Sequence, residues 1–161
     1  MGYYDTAQIC LNGHVINSTA QKYPQSNKKF CQKCGSATII HCKQCSTLIL
    51  GDYVSEEYPS FSNDYIAPSF CQECGKPFPW TEARILAISD LIAELDELSP
   101  EEKSILNKSI DDIVRDTPQT TVAATRFKKI LSKAGKAAVE TFKVIAIDII
   151  SETAKKTLFG S

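Results

Sequence analysis

The sequence predicts an α+β protein in which a small β module, built on cysteine-rich knuckles, precedes an α-helical region of three to four helices. Two observations support this prediction. Short turns with paired metal-ligand residues crowd the first half of the chain, and apolar residues at spacings of three and four take over in the second half. The change follows Pro79, which places the β module at residues 1–79 and the helical region at residues 80–161.

The β module is predicted from four knuckles that carry closely spaced thiol or imidazole side chains. Two of them share the pattern Phe-Cys-x-x-Cys-Gly, at 30–35 and 70–75, and short apolar runs typical of hairpin strands lie between knuckles. Seven cysteines and one histidine supply the eight ligands that two closed, four-coordinate zinc sites require. The candidate zinc ligands are Cys10, His14, Cys31, Cys34, Cys42, Cys45, Cys71 and Cys74.

The order of the knuckles favours one of the ways in which they can pair. The chain repeats a first knuckle, a spacer and a Phe-Cys-x-x-Cys-Gly knuckle. Sequential pairing therefore puts the first two knuckles on one ion and the last two on the other. The alternative is a nested arrangement, in which the second and third knuckles share one ion. His41 is the alternative to His14 as the imidazole ligand, although its place directly before Cys42 disfavours it.

The residue after each Cys-x-x-Cys pair also matters, because the chain has to reverse there. Gly35 and Gly75 occupy that position and accept a positive φ without strain, whereas Ser46 departs from the pattern.

Closed zinc sites indicate a structural role and no enzymatic reaction. An ion with four protein ligands has no open position for water or substrate. The chain has two histidines, no Gly-rich phosphate loop and no glutamate beside a ligand histidine. The absence of a secretory signal pattern at the start predicts the reducing cytoplasm, where paired thiols bind zinc rather than form disulfides.

The second half predicts helices from its apolar spacing and its boundaries. Ser99 and the Pro-Glu-Glu that follows it supply an N-cap, a proline at the first helical position and a glutamate at the third. The last helix is apolar on two faces, so we expect a central place in a bundle or homo-oligomerisation through residues 126–158. The helices are predicted at 81–98, 100–115, 118–134 and 136–158.

The net charge of −1 hides an uneven distribution along the chain. Residues 81–116 contain ten acidic and four basic residues, whereas residues 126–161 contain eight basic and three acidic residues. The two segments are therefore expected to attract each other, or the basic tail to meet an anionic partner such as a membrane. Glu140, Asp148 and Glu152 interrupt the positive face, which disfavours the membrane.

The zinc module itself offers two kinds of partner surface. Its first half carries lysines that would meet phosphates of a nucleic acid, but its second half is acidic, and thiolate-rich zinc sites add negative charge. The insert 51–70 joins aromatic residues to acids, either as packing over the module or as a surface for a protein or peptide. The lysines are Lys22, Lys28, Lys29, Lys33 and Lys43, and the aromatic residues are Tyr53, Tyr58, Phe61 and Tyr65.

Two resemblances extend this interpretation. Cys10-Leu-Asn-Gly-His14 followed by Lys29-Phe-Cys-Gln-Lys-Cys-Gly35 resembles half of a double zinc ribbon, and this likeness covers about half of the chain. The whole chain is similar to a bacterial family of unknown function that joins such ribbons to helices. The resemblance implies zinc binding and a bacterial cytoplasmic protein, and it supplies no activity.

Binding is therefore the predicted function. We expect structural zinc to fix a small surface that recognises a protein partner, with the helices used for self-association or for that partner. A nucleic-acid-binding ribbon protein is the alternative, and a membrane-active protein ranks third.

Overall fold

The computed structural model describes residues 2–57 and 64–160. Its contacts divide the chain into two compact units, Met1–Ala83 and Arg84–Ser161, which we call unit 1 and unit 2. Tyr58 and Phe61 of the aromatic insert lie outside the described residues.

Unit 1 contains two small antiparallel sheets made of strands of two to five residues. Strand β1 (Tyr3–Thr6) pairs with β5 (Leu50–Val54). Strand β2 (Gln8–Cys10) lies between β3 (Val15–Asn17) and β4 (Thr38–Ile39). Such short ladders bury little apolar surface, so these sheets need support from other contacts.

The apolar core of unit 1 is correspondingly small and includes cysteines of the knuckles. Aromatic stacking closes one side of it, because the rings of Phe78 and Trp80 lie 4.7 Å apart at an interplanar angle of 14°. Trp80 Nε1 donates a hydrogen bond to the carbonyl oxygen of Pro68 at 2.9 Å. The buried core residues are Ala7, Ile9, Cys42, Ile49, Cys71, Phe78 and Trp80.

Five α-helices follow among the described residues. The predicted capping box is present at the second of them, since Ser99 Oγ accepts from the backbone N–H of Glu102 while the Glu102 carboxylate accepts from the N–H of Ser99. None of the described helices combines the length and apolar character needed to cross a bilayer. The helices are α1 (Pro79–Ala93), α2 (Pro100–Val114), α3 (Thr120–Leu131), α4 (Lys136–Ala146) and α5 (Glu152–Phe159).

Helix α1 ends earlier than the predicted 81–98. After Ala93 the backbone N–H groups of Glu94, Leu95 and Leu98 bond to carbonyls three residues back, in successive tight turns. The turns let Leu95 and Leu98 both become buried before the next helix begins. The helix therefore ends at Ala93, because the tight turns that follow it bury these two leucines.

The segment 136–158, predicted as one helix, forms two. The carbonyl of Ile145 accepts a hydrogen bond from the Arg84 guanidinium at 2.9 Å, while the N–H of Ile149 bonds to Ala146. The N–H of Ser151 bonds to the carbonyl of Ile113, and Ser151 Oγ caps α5 by accepting from Ala154. A long-range contact and a local cap thus replace the helical ladder at this point.

This break changes how the two-faced apolar pattern is used. Val144, Ala154 and Leu158 belong to the second apolar face of the predicted helix. Ala154 and Leu158 are buried within unit 2, whereas Val144 is 74% exposed. The core of the unit contains Phe127 and Phe142, whose rings lie 4.8 Å apart. A single chain therefore buries much of the apolar surface that suggested an oligomer, and self-association through 126–158 stays a prediction.

Two ion pairs join residues 81–116 to residues 126–161, and the first follows the predicted charge distribution whereas the second has the opposite polarity. Lys133 Nζ lies 2.6 Å from Glu102 Oε1, and Arg84 pairs with Asp148 at 3.3 Å. Lys133 lowers the pKa of Glu102, with help from the N–H of Ser99. Both pairs are partly exposed, so each contributes little stability.

The cap of α5 gives a stability prediction. Replacing Ser151 by Ala removes the acceptor for the Ala154 N–H, and the free energy of unfolding should fall by about 1 kcal/mol. The matched variant Ser151→Asp keeps an acceptor and should stay close to wild type. Urea unfolding followed by circular dichroism measures both. Equal stability of Ser151→Ala and wild type would show that α5 does not depend on this cap.

Candidate metal centres

The first candidate centre joins the first two knuckles. Sγ of Cys10 lies 3.4 Å from Nδ1 of His14 and 3.7 Å from Sγ of Cys34. Sγ of Cys31 lies 3.5 Å from the same imidazole nitrogen. The four ligand atoms, which we call tetrad 1, all lie within 4.8 Å of one another.

The second candidate centre joins the last two knuckles. Sγ of Cys42 lies 3.7 Å from Sγ of Cys74, and Sγ of Cys45 lies 3.6 Å from Sγ of Cys71. These four sulfurs, tetrad 2, also lie within 4.8 Å of one another. All seven cysteines are free thiols. Sulfurs at these separations are not bonded, because a disulfide bond is about 2.0 Å long.

The spacing inside each tetrad fits a tetrahedral ion. Metal–sulfur bonds of about 2.3 Å and metal–nitrogen bonds of about 2.0–2.1 Å at tetrahedral angles put sulfurs about 3.8 Å apart and sulfur about 3.6 Å from nitrogen. The closest separations in the tetrads are 3.4–3.7 Å. Thiolate and imidazole donors in this arrangement are those that zinc takes in closed sites.

The structure groups the eight predicted residues in the sequential pairing. The nested arrangement does not occur, because Cys31 and Cys42 belong to different tetrads. His14 is in tetrad 1, whereas His41 is exposed and forms an isolated antiparallel bridge with Leu48.

The three Cys-x-x-Cys knuckles share one set of backbone hydrogen bonds. In the knuckle at Cys31, Gly35 N–H donates to the Cys31 carbonyl at 2.8 Å, and Lys33 N–H points to Cys31 Sγ at 3.4 Å. The knuckles at Cys42 and Cys71 repeat both contacts at 2.9 and 3.4 Å. Amides that point at a sulfur orient it, so the loop positions each first cysteine as a metal ligand.

The knuckles also share a left-handed backbone residue. Gly35 has φ 74° and Gly75 has φ 73°, and Ser46 takes the equivalent position with φ 65°. Ser46 is the one residue other than glycine with positive φ in the described chain. The knuckle geometry therefore holds a serine in a conformation that costs an L-residue about 1–2 kcal/mol.

The second cysteine of two of these knuckles receives a different kind of support. The side chain of Asn12 and the amide and hydroxyl of Ser36 lower the pKa of Cys34 to about 5. The hydroxyl and amide of Thr47 lower the pKa of Cys45 to about 6, and Thr47 Oγ1 lies 3.3 Å from Cys45 Sγ. Hydrogen bonds of this kind orient a ligand and favour its charged form.

Other sulfurs in the tetrads resist ionisation when no cation is nearby. Burial raises the pKa of Cys10. The amide of Lys76 lowers the pKa of Cys74, but burial and its neighbouring sulfurs outweigh that effect and raise it to about 11. The three sulfurs of tetrad 1 and the four of tetrad 2 cannot all carry charge alone, so a bound cation would let each tetrad adopt its ligand form.

Three supporting residues were not predicted from the sequence, namely Asn12, Ser36 and Thr47. Their signal is positional, since Ser36 and Thr47 both stand two residues after the second cysteine of a knuckle. Asn12 lies between the two ligands of the first knuckle, and its amide donates to Ser36 Oγ at 2.9 Å. From the sequence alone, small polar residues at these positions are indistinguishable from ordinary turn residues, and the loop geometry is needed to show their contact with the sulfurs.

Two pairs of knuckles on short antiparallel sheets, each pair enclosing one ligand tetrad, define a double zinc-ribbon-like arrangement. Comparison with protein families matches residues 3–158 to the family described as "Uncharacterized protein conserved in bacteria (DUF2321)". The match covers nearly the whole chain, which therefore belongs to this bacterial family. Searches of curated proteins and of solved structures return no match.

The shared left-handed position gives a paired prediction. A Cβ added at Gly35 or Gly75 meets nothing within 4 Å, so Gly35→Ala and Gly75→Ala should each lose about 1 kcal/mol through backbone strain alone. Ser46→Gly relieves the same strain and should gain a few tenths of a kcal/mol to about 1 kcal/mol. Chemical unfolding of the full-length, metal-loaded protein measures the three variants. A stabilising Gly→Ala change would contradict the assigned conformation.

Proposed function

We propose that this protein is a zinc-stabilised protein-interaction module. The observation that carries the proposal is the closed donor set of each tetrad, since four protein ligands surround each position and leave none for water or substrate. Zinc in such sites is structural, and each ion contributes on the order of 10 kcal/mol to folding. Unit 1 would use the two ions in place of a large apolar core.

The surface of unit 1 supports a protein as the partner. Tyr4 and Tyr53 are 62% and 48% exposed, and their rings pack edge to face at 5.2 Å on the β1–β5 sheet. Tyrosine rings give a large contact area at a small entropic cost, which suits protein recognition. Further large apolar residues on unit 1 are at least 40% exposed: Tyr3, Phe30, Leu48, Leu50 and Ile66.

Electrostatics argue against phosphate as the main ligand of this surface. A zinc ion with three thiolates and a neutral imidazole keeps one net negative charge, and one with four thiolates keeps two. Tetrad 2 therefore adds negative charge to a segment that already contains Asp52, Glu56, Glu57 and Asp64. A nucleic acid would be repelled from this half of unit 1.

Nucleic-acid binding stays the second candidate because of one feature near tetrad 1. Lys28 and Lys33 line a common cavity of about 160 Å³ together with His14 and Cys31. Two lysines converging beside a partly exposed imidazole suit one phosphate group.

We assign unit 2 to self-association or to support of the same partner. Val144 is its most accessible apolar side chain on α4.

The zinc proposal is tested by metal stoichiometry. Native mass spectrometry of the full-length protein should show two zinc ions per chain. His14→Ala should lose the ion of tetrad 1, and Cys74→Ala the ion of tetrad 2 with unfolding of that half of unit 1. His41→Ala is the matched control and should retain both ions. Loss of an ion in His41→Ala, with retention in His14→Ala, would contradict the ligand assignment.

The choice between protein and nucleic acid is tested by purification from zinc-replete bacterial cells, with and without nuclease. We expect one specific protein to stay bound at high salt after nuclease treatment. If the second candidate is right, a nucleic acid co-purifies and is released by salt. The double variant Lys28→Glu/Lys33→Glu should then no longer retain it, whereas the control Lys76→Glu should. Recovery of nucleic acid alone would reverse the ranking.

A further inference from the structure

A cavity of about 190 Å³ lies beside tetrad 2 in unit 1. Its deepest lining comes from Ile49, Cys71 and Phe78, which are 2%, 4% and 3% exposed. Cys71 is also a member of tetrad 2, so one wall of the cavity is fixed by the same residue that would bind the ion. The cavity is therefore part of the zinc-organised structure.

The outer lining of the cavity is apolar and accessible. Leu48, Leu50 and Ile66 are 44%, 40% and 71% exposed. Large aliphatic side chains around an apolar depression are typical of a surface that a partner covers.

The interior of the cavity is apolar, because the polar side chains of its lining are hydrogen-bonded within the protein or lie at its edge. The hydroxyl of Tyr65 donates to the carbonyl oxygen of Leu50 at 2.6 Å and is thereby engaged within the protein. Gln72 is exposed at the outer edge. Among the described residues, no charged side chain lines the cavity. The inserted part of a ligand therefore has to be apolar.

The size of the cavity limits that apolar part to one side chain. A protein cavity of about 150 Å³ accommodates benzene. The volume beside tetrad 2 is slightly larger, so it fits the side chain of a leucine, a methionine or a phenylalanine.

The segment of the chain that lines the cavity is acidic overall. Residues 42–78 contain five acidic residues and two lysines, and the thiolates of tetrad 2 leave further negative charge after zinc is bound. The carboxylate of Asp52 lies close enough to Tyr65 to add to the effect of burial in raising the pKa of that phenol. Electrostatic complementarity therefore favours positive charge on the segment that enters the cavity.

We propose that this cavity takes one bulky apolar side chain of a partner protein, from a segment that carries lysine or arginine beside it. The inference rests on the proposed function, because it names the surface and the partner chemistry of the interaction module. The chain's own basic segment 127–131 has a similar composition, but Phe127, Ile130 and Leu131 are at most 9% exposed within unit 2. Segment 127–131 of a second copy is therefore not the occupant.

Peptide display on the full-length, zinc-loaded protein tests the proposal. Random peptides of about twelve residues are selected on phage, and enriched peptides are measured by fluorescence anisotropy on wild type, Ile66→Lys and Val122→Lys. Val122 is 52% exposed on α3 and serves as the matched control. We expect enriched peptides to share a Leu, Met or Phe next to Lys or Arg. Ile66→Lys should weaken them by about tenfold or more, and Val122→Lys by less than about twofold.

Several results would overturn the cavity proposal. These are no enrichment, enrichment of peptides without the basic-apolar pattern, or equal binding to Ile66→Lys and wild type. Displacement of the peptide from wild type by an excess of the Ile66→Lys chain, whose own cavity no longer binds the peptide, would identify the occupant as a second copy. Measuring the zinc content and thermal unfolding of each variant distinguishes a failure of the cavity proposal from a failure of the proposed zinc-stabilised module. Two ions with peptide binding elsewhere would refute the cavity alone, whereas a chain without zinc would refute the module.

Discussion

Each candidate zinc centre in unit 1 would bond together knuckles that are far apart in the sequence. Each tetrad joins one knuckle to another that follows more than twenty residues later, and the strands between them have two to five residues. Two ligand cysteines belong to the small apolar core itself. Without a cation, Cys10 and Cys74 resist ionisation because their pKa values are raised. Bound ions would therefore stabilise the fold as well as the ligand form of the thiols.

The sequence predicts the parts of this arrangement that depend on local chemistry. The eight ligands and their sequential pairing follow from spacing and repeat order, and the capping box at Ser99 follows from four adjacent residues. The break after α4 was missed, because it depends on Arg84, which is 61 residues from the carbonyl it binds. Thr47 was missed since its role exists only once the knuckle turns its hydroxyl towards Cys45. The Arg84 contact has no signal in a single sequence, and the position of Thr47 becomes informative only once the loop geometry is known.

The knuckles show how a backbone requirement outranks residue preference. Ser46 adopts the left-handed conformation that Gly35 and Gly75 adopt at the equivalent position. The hydrogen bond from the N–H of Ser46 to the carbonyl of Cys42, which the glycines make at the other two knuckles, accompanies this conformation. This rigidity suits a binding module, because fixed walls such as Cys71 lose little entropy when a partner covers them.

Zinc K-edge X-ray absorption on the full-length protein is the most direct test of two closed, independent centres. The account predicts a first shell of sulfur at about 2.3 Å with a minor nitrogen contribution at about 2.0–2.1 Å. Averaged over both ions, that shell should contain seven sulfurs for each nitrogen, because the tetrads hold seven cysteines and one histidine. An oxygen ligand would indicate an open site, and a short metal–metal distance would indicate a shared cluster. Either result would contradict the account.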